Sequence, residues 1–213
     1  SLMTELTITD RMRGTKRRVL EFTDGQTRTT SHDVVRLLGL HPGTFPDSSV
    51  VLSQIDEAEY SVAFERALRL VNYRERSEQE LKGKLCSDGY PDSIVNLVVD
   101  RFLEIELVND IRFAGCFVRS KRMAGWGSRR IGRKLAEFGV SEDVMTVALD
   151  ENLESEYSRA LEIATRRPIC NRADSERVLG RLVRKGFPFE IAIKACREAQ
   201  DASGAVDEGA ASP

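Results

Sequence analysis

Along the last two-thirds of the chain, apolar positions return at helical spacing, and the spacing itself repeats. Leu81-x-x-x-Leu85-x-x-x-Gly89-Tyr90-x-x-x-Ile94 is followed by Ile131-x-x-x-Leu135-x-x-x-Gly139-Val140-x-x-x-Val144. A third copy reads Val178-x-x-x-Leu182-x-x-x-Gly186-Phe187-x-x-x-Ile191, and the offsets are 50 and 47 residues. An apolar pair at i, i+4 marks the buried face of a helix. The glycine just past it ends that helix at a positive φ, and the apolar residue after the glycine tucks under the helix end. The Ile or Val that follows opens the next helix on its buried side. Upstream of each copy lies another helix, carrying Ala67-Leu68, Phe113-Ala114 or Ala160-Leu161. Each repeat is therefore three helices.

Before the repeats the period changes to two. Leu6-Thr7-Ile8-Thr9 alternates. The run Arg18 to Thr23 leads through Asp24-Gly25, a strong hairpin turn signal, into Gln26 to Thr30. Ser31 caps a short helix through Leu38, with Gly39 past its end, and His41-Pro42-Gly43 reads as a turn. Asp47 or Ser48 caps a helix reaching about Tyr73. Ser77-x-x-Glu80 is a capping box; Asp110, Ser128 and Ser141 are N-caps, and Pro188 fits the first turn of the last helix. The expected fold is mainly α, an array of three tandem three-helix repeats preceded by a small N-terminal β-hairpin and helix segment. The boundaries follow as 1–50 for that segment, 51–107, 108–153 and 154–200 for the repeats, and 201–213 for a tail of Ala, Gly, Ser, Asp and Glu expected to be disordered.

Charge changes the picture at one place. The formal net charge of the whole chain is -2, yet from Ile111 to Ala136 there is no acidic residue. That stretch holds Arg112, Arg119, Lys121, Arg122, Arg129, Arg130, Arg133 and Lys134. A local cationic field in a neutral background is the footprint of a surface that meets phosphates or an acidic partner. Gly125-Trp126-Gly127 lies between the two cationic helix ends and should bring them together. Trp126 is either a stacking anchor in that surface or a plug on the helix junction. Arg177, Arg181, Arg184 and Lys185 form a second basic patch, diluted by Asp174 and Glu176. The candidate DNA-binding residues are thus Arg119, Lys121, Arg122, Trp126, Arg129, Arg130, Arg133 and Lys134, with the second patch behind them.

Catalytic readings find little support. There is no P-loop, no G-x-S-x-G, no carboxylate cluster for two metals and no supported Cys–His pair, so no enzyme is expected. Cys86, Cys116, Cys170 and Cys196 are scattered, and His32 and His41 are the only imidazoles, which leaves no zinc spacing and no expected cofactor. No apolar run approaches the roughly 18 residues of a membrane helix. Ser1-Leu2 ahead of Met3 reads as a cloning remnant, and the scattered thiols suit a cytoplasmic protein. A monomer is expected.

Several runs resemble the RecX family, regulators of the RecA recombinase. They are Ala67-Leu68 to Arg74; Arg76-Ser77-Glu78-x-Glu80-Leu81-x-x-Lys84-Leu85-x-x-x-Gly89; Asp110-x-Arg112-Phe113-Ala114-x-x-Phe117-Val118-Arg119; and Gly125-x-Gly127-x-x-x-Ile131. The resemblance covers about residues 60–200. Where family members often carry a Gly and paired Asp before the Arg-Phe-Ala run, this chain has Glu106 and Asn109-Asp110. The resemblance implies a modular helical array that binds RecA–DNA filaments and lowers recombinase and ATPase activity, with single- and double-stranded DNA as further partners. The residues alone leave two other readings open: a helix-turn-helix DNA-binding regulator, and a protein-only helical scaffold.

Overall fold

The computed structural model describes residues 4–10, 17–45, 47–150 and 153–209. Its first elements are strands β1 (Thr4–Asp10), β2 (Arg17–Phe22), β3 (Thr27–Ser31) and β4 (Gly43–Phe45), with helix α1 (His32–Leu37) between the last two. They form one antiparallel sheet in the order β3-β2-β1-β4. The hairpin turns at Asp24-Gly25, as its residues dictate, with Gly25 at φ +85°. Leu6 pairs with Phe22 and Ile8 with Leu20, so the alternation aims these apolar side chains at a single face. The expected turn at His41-Pro42-Gly43 is cut short, because Gly43 already opens β4, a three-residue edge strand on β1 too short to show any period. Ser31 caps α1 through the Val34 amide at 3.2 Å.

Helix α2 (Ser48–Tyr73) is capped by Asp47, which accepts from the Ser49 amide at 2.8 Å. Its first half closes the core under the sheet with Val51, Ile55 and Ala58, together with Leu6, Leu20, Phe22 and Val34. Its second half gives Ala63, Ala67 and Leu70 to a different core, shared with α3 (Glu78–Asp88) and α4 (Asp92–Glu104). One continuous helix thus serves two cores, and the expected boundary at 50/51 falls inside it. Glu59 sits on the sheet side and is fully buried. Burial raises its pKa against the pull of the Thr30 hydroxyl and of Arg28, whose Nη2 is 3.8 Å away. Neither its oxygens nor the Thr30 hydroxyl reach a full hydrogen bond among the described residues.

Two further triplets follow: α5 (Asp110–Met123), α6 (Ser128–Glu137) and α7 (Glu142–Leu149); then α8 (Leu153–Ala164), α9 (Arg172–Lys185) and α10 (Phe189–Gly209). The second helices of the three triplets end identically. Gly89, Gly139 and Gly186 have φ of +100°, +74° and +90°. The amides of Tyr90, Val140 and Phe187 reach back to the carbonyls of Leu85, Leu135 and Leu182 at 3.1–3.2 Å. This is a Schellman ending, whose hydrophobic contact joins the residues at its two ends. The repeated Leu-x-x-x-Gly-apolar spacing is therefore the sequence of that ending, and all six apolar residues are buried. The tail differs from its expectation, because α10 runs on to Gly209. Ala199 and Ala202 supply the best helix former at this point. The expectation for residues 210–213 lies outside the described residues.

The chain divides into two compact units, Ser1–Asn109 and Asp110–Pro213. The first holds the sheet and the first triplet, and the second holds the other two triplets. No helix of the described residues is long and apolar enough to cross a membrane.

Candidate nucleic-acid interface

The Arg-Ser-Glu-x-Glu-Leu run turns out to be internal bracing. Ser77 caps α3, accepting from the Glu80 amide at 3.1 Å. The Glu80 carboxylate takes Arg74 and Arg76, and the buried Arg76 also donates to the Leu70 carbonyl at 3.1 Å. The Arg-Phe-Ala-x-x-Phe-Val-Arg run is likewise a core face of α5: Phe113, Ala114 and Val118 are buried. Phe113 and Phe117 each meet Phe138 edge-on at 5.5 Å between ring centroids. These motifs set α5 and α6 against each other and leave the cations around them outside.

The cations of α6 fall in two stripes one residue apart. Arg130 and Lys134 are half-buried. The Arg130 guanidinium lies 3.7 Å from the centroid of the Trp126 ring, while Lys134 pairs with Glu137 just beyond the acid-free stretch. Lys121 sits 5.2 Å from both the Trp126 and Phe117 rings. Trp126 is itself half-buried against the core of its triplet. Its ring face is thus occupied by Arg130 rather than open for a base, which favours the plug over the stacking anchor. Arg129 and Arg133, one helical turn apart, point outward and make no ion pair with a described acid.

Helix α6 begins in an unexpected way. Ser128 is its first residue and not its cap; the cap position is Gly127, which has no side chain to offer. Three neighbours replace the missing cap. Glu156, a buried carboxylate on α8, accepts the Ser128 amide at 2.7 Å. The carbonyls of Lys185 and Gly186 accept the Gly127 and Arg129 amides at 2.9 and 3.0 Å. The positive end of α6 therefore meets the negative end of α9, and the orphan groups of each end are satisfied by the other. The approach is close. A Cβ on Gly127 would stand 2.3 Å from the Phe187 nitrogen, and one on Gly186 would stand 2.3 Å from the Arg130 Cβ.

This contact splits the second basic patch. Lys185 arrives at the α6 junction, where its ammonium stands 3.5 Å from where a Gly125 Cβ would be, while the exposed Arg184 folds back along α9, its Nη1 3.2 Å from where a Gly180 Cβ would be. Arg177 stays two turns back along α9 and pairs with Asp174 at 2.9 Å, with Arg181 between. Two arginines that the charge pattern did not single out take Arg177's place. A groove of about 520 Å³ is lined by Arg119 and Arg122 from α5 and by Arg159 and Arg166 from α8 and its end. Arg159 donates to the Trp126 carbonyl at 2.9 Å, and Arg122 to the Leu149 carbonyl at 3.1 Å. Arg166 pairs with Glu162 at 3.1 Å. Arg119 lies beside Cys116, its Nη2 3.1 Å from the sulfur. Cations of α5, α6, α8 and α9 thus gather around the Gly-Trp-Gly loop, a field suited to phosphate oxygens.

Residues 63–102 match the family model of the first three-helix domain of RecX, and residues 109–149 match that of the second. A regulatory protein RecX from Mycobacterium sp. (strain JLS) is 32% identical over 164 residues, which are 72% of this chain and 88% of that protein. A protein of the same name from Geobacillus kaustophilus is 30% identical over 172 residues, 76% of this chain and 63% of that one. Among solved structures, a regulatory protein RecX superposes with a TM-score of 0.60 at 22% identity, covering 91% of this chain and 99% of that one. RecX from Lactobacillus salivarius superposes with a TM-score of 0.61 at 20% identity, covering 66% and 96%.

Proposed function

The chain belongs to the RecX family, and from that premise we propose that it binds RecA–DNA filaments and lowers recombinase and ATPase activity, in DNA repair and the SOS response. In this reading it works without catalysis or a cofactor, as a cytoplasmic monomer. The observation that carries the reading is the gathering of Arg119, Arg122 and Lys185 around the Gly-Trp-Gly loop of the second compact unit, with Arg129, Arg133 and Arg184 exposed on α6 and α9. Such a surface holds phosphates without reading bases, so affinity falls steeply with salt and varies little with sequence. Arg130, Lys121 and Trp126 act in it as supports, stacked on one another behind the exposed guanidiniums.

The test is RecA ATPase on single-stranded DNA with increasing amounts of this protein. Inhibition should be strong for the wild type and weak for Arg129→Ala/Arg133→Ala/Arg184→Ala. A wild-type protein that binds DNA in a salt-dependent way but leaves the ATPase untouched would point instead to a plain DNA-binding regulator.

A further inference from the structure

The repeats provide an internal comparison that singles out α7. In the first triplet the third helix, α4, buries Ile94, Val95, Val98, Val99 and Phe102. In the third, α10 buries Ala192, Ala195, Cys196 and Ala199. Helix α7 is just as apolar, with five such residues among its eight, yet it buries none of them fully: Val144, Met145, Ala148 and Leu149 pack on the core of the triplet while still partly exposed, and Val147 faces away from it. Its outer stripe faces a matching stripe on α5. Ile111, Gly115 and Arg119 recur at i, i+4 and i+8 on one helix; Asp143, Val144 and Val147 line the other. The groove between them measures about 380 Å³. Ile111 is 65% exposed and Val147 71% exposed, on either side of it. An apolar trough with bare Ile and Val on its walls is costly to leave in water and is characteristic of a protein contact.

Charge says what kind of occupant fits. Arg119 closes one rim and also lines the four-arginine groove, so the apolar trough runs directly into the phosphate-facing surface. Asp143 stands on the opposite rim. The apolar surface of naked nucleic acid is its flat base faces, which are held by stacking on aromatic rings, and among the described residues no aromatic side chain lines this trough. A nucleoprotein filament presents phosphates and protein side chains side by side. We propose that the α5–α7 groove seats a segment of the filament's protein subunits, one that carries adjacent apolar side chains with a carboxylate at the Arg119 end. This rests on the filament reading above and divides its labour: arginines for the nucleic acid, the α5–α7 trough for the protein.

The test is a neutral double variant, Ile111→Ser/Val147→Ser, which leaves the net charge unchanged. Both positions are exposed, so the thermal melt should match the wild type. Affinity for a naked single-stranded oligonucleotide should stay within about twofold, while affinity for a RecA filament on the same oligonucleotide should fall by about tenfold or more, the loss expected of a buried apolar contact. A photocrosslinker at the same place, Val147→benzoylphenylalanine, should label RecA and not the oligonucleotide. Equal effects on both ligands, no effect on either, or a crosslink to nucleic acid would overturn the groove assignment while leaving the filament reading intact. A wild-type protein that does not bind the filament at all would sink that reading, and the groove assignment with it.

Discussion

The buried carboxylate of Glu156 accepts the backbone amide of Ser128 at 2.7 Å, so a residue of the third triplet caps a helix of the second. Loss of a helix cap costs about 0.5–2 kcal/mol. Glu156→Ala should lower stability by that amount, and Glu156→Gln, which keeps the acceptor oxygen, by less. Urea unfolding followed by circular dichroism measures both. Equal losses for the two variants would show that packing and not the hydrogen bond carries the effect.

The three helix-ending glycines share a left-handed backbone, but their surroundings differ: a Cβ at Gly89 would meet the side chain of Arg17 at 2.9 Å, which can shift, whereas one at Gly186 would meet backbone. Alanine at Gly89 or Gly139 should cost on the order of 1 kcal/mol for its φ. A Cβ at Gly186 would also press on the Arg130 backbone at 2.6–2.9 Å, a contact that cannot swing away. Gly186→Ala should therefore cost a further 1–3 kcal/mol or so through overpacking. Thermal melts of the three variants should place it clearly last; a tie would mean that the two helix ends can part without cost.

Glu59 gives a stability that depends on pH with an unusual sign. Burial raises its carboxyl pKa, so ionising it opposes folding. That penalty is absent below the unfolded value near 4.3, grows as pH rises to the folded pKa and is constant above it. Glu59→Gln should be more stable than the wild type at pH 7, with the gap closing towards pH 4 or so. Denaturant titrations at several pH values check this, and a gap that stays constant across them would place the carboxyl's charge outside the balance.

Salt dependence separates working arginines from structural ones. Removing three phosphate contacts should flatten the slope of log K against log salt by about 2.1 units on single strands and about 2.7 on duplex. Arg129→Ala/Arg133→Ala/Arg184→Ala is the variant for which that is expected. Arg177→Ala, whose side chain is already held by Asp174, should leave the slope where it was. Fluorescence anisotropy with a labelled oligonucleotide at four or five salt concentrations reads both.

What could be read from the chain alone was local. The Leu-x-x-x-Gly-apolar spacing encodes a helix ending within six residues, so its three copies and their burial were legible. The Asp24-Gly25 hairpin and the Ser31, Ser77 and Ser141 caps were legible for the same reason. What escaped depends on partners far along the chain. Ser128 looked like a cap because nothing nearby reveals that Glu156 and the end of α9 take that role. Arg159 and Arg166 lie among acids in sequence and join Arg119 only once residues of α5 and α8 come to line one groove. The second basic patch read as one cluster, yet Lys185 goes to the junction while Arg184 folds back over Gly180 and Arg177 is paired away. Strand β4 carries too few residues for any period to register.

The end-to-end docking of α6 on α9 bears on how the second unit melts. In a tandem array whose modules touch only through side chains, each module can open nearly on its own. Here the backbone of one module completes the hydrogen bonding of the next, so opening either strips the other of partners it cannot replace. The second and third triplets should therefore behave as a single cooperative block. Cutting the chain between them would not release a smaller working module: it would leave α6 starting at a glycine, with its first amides bare.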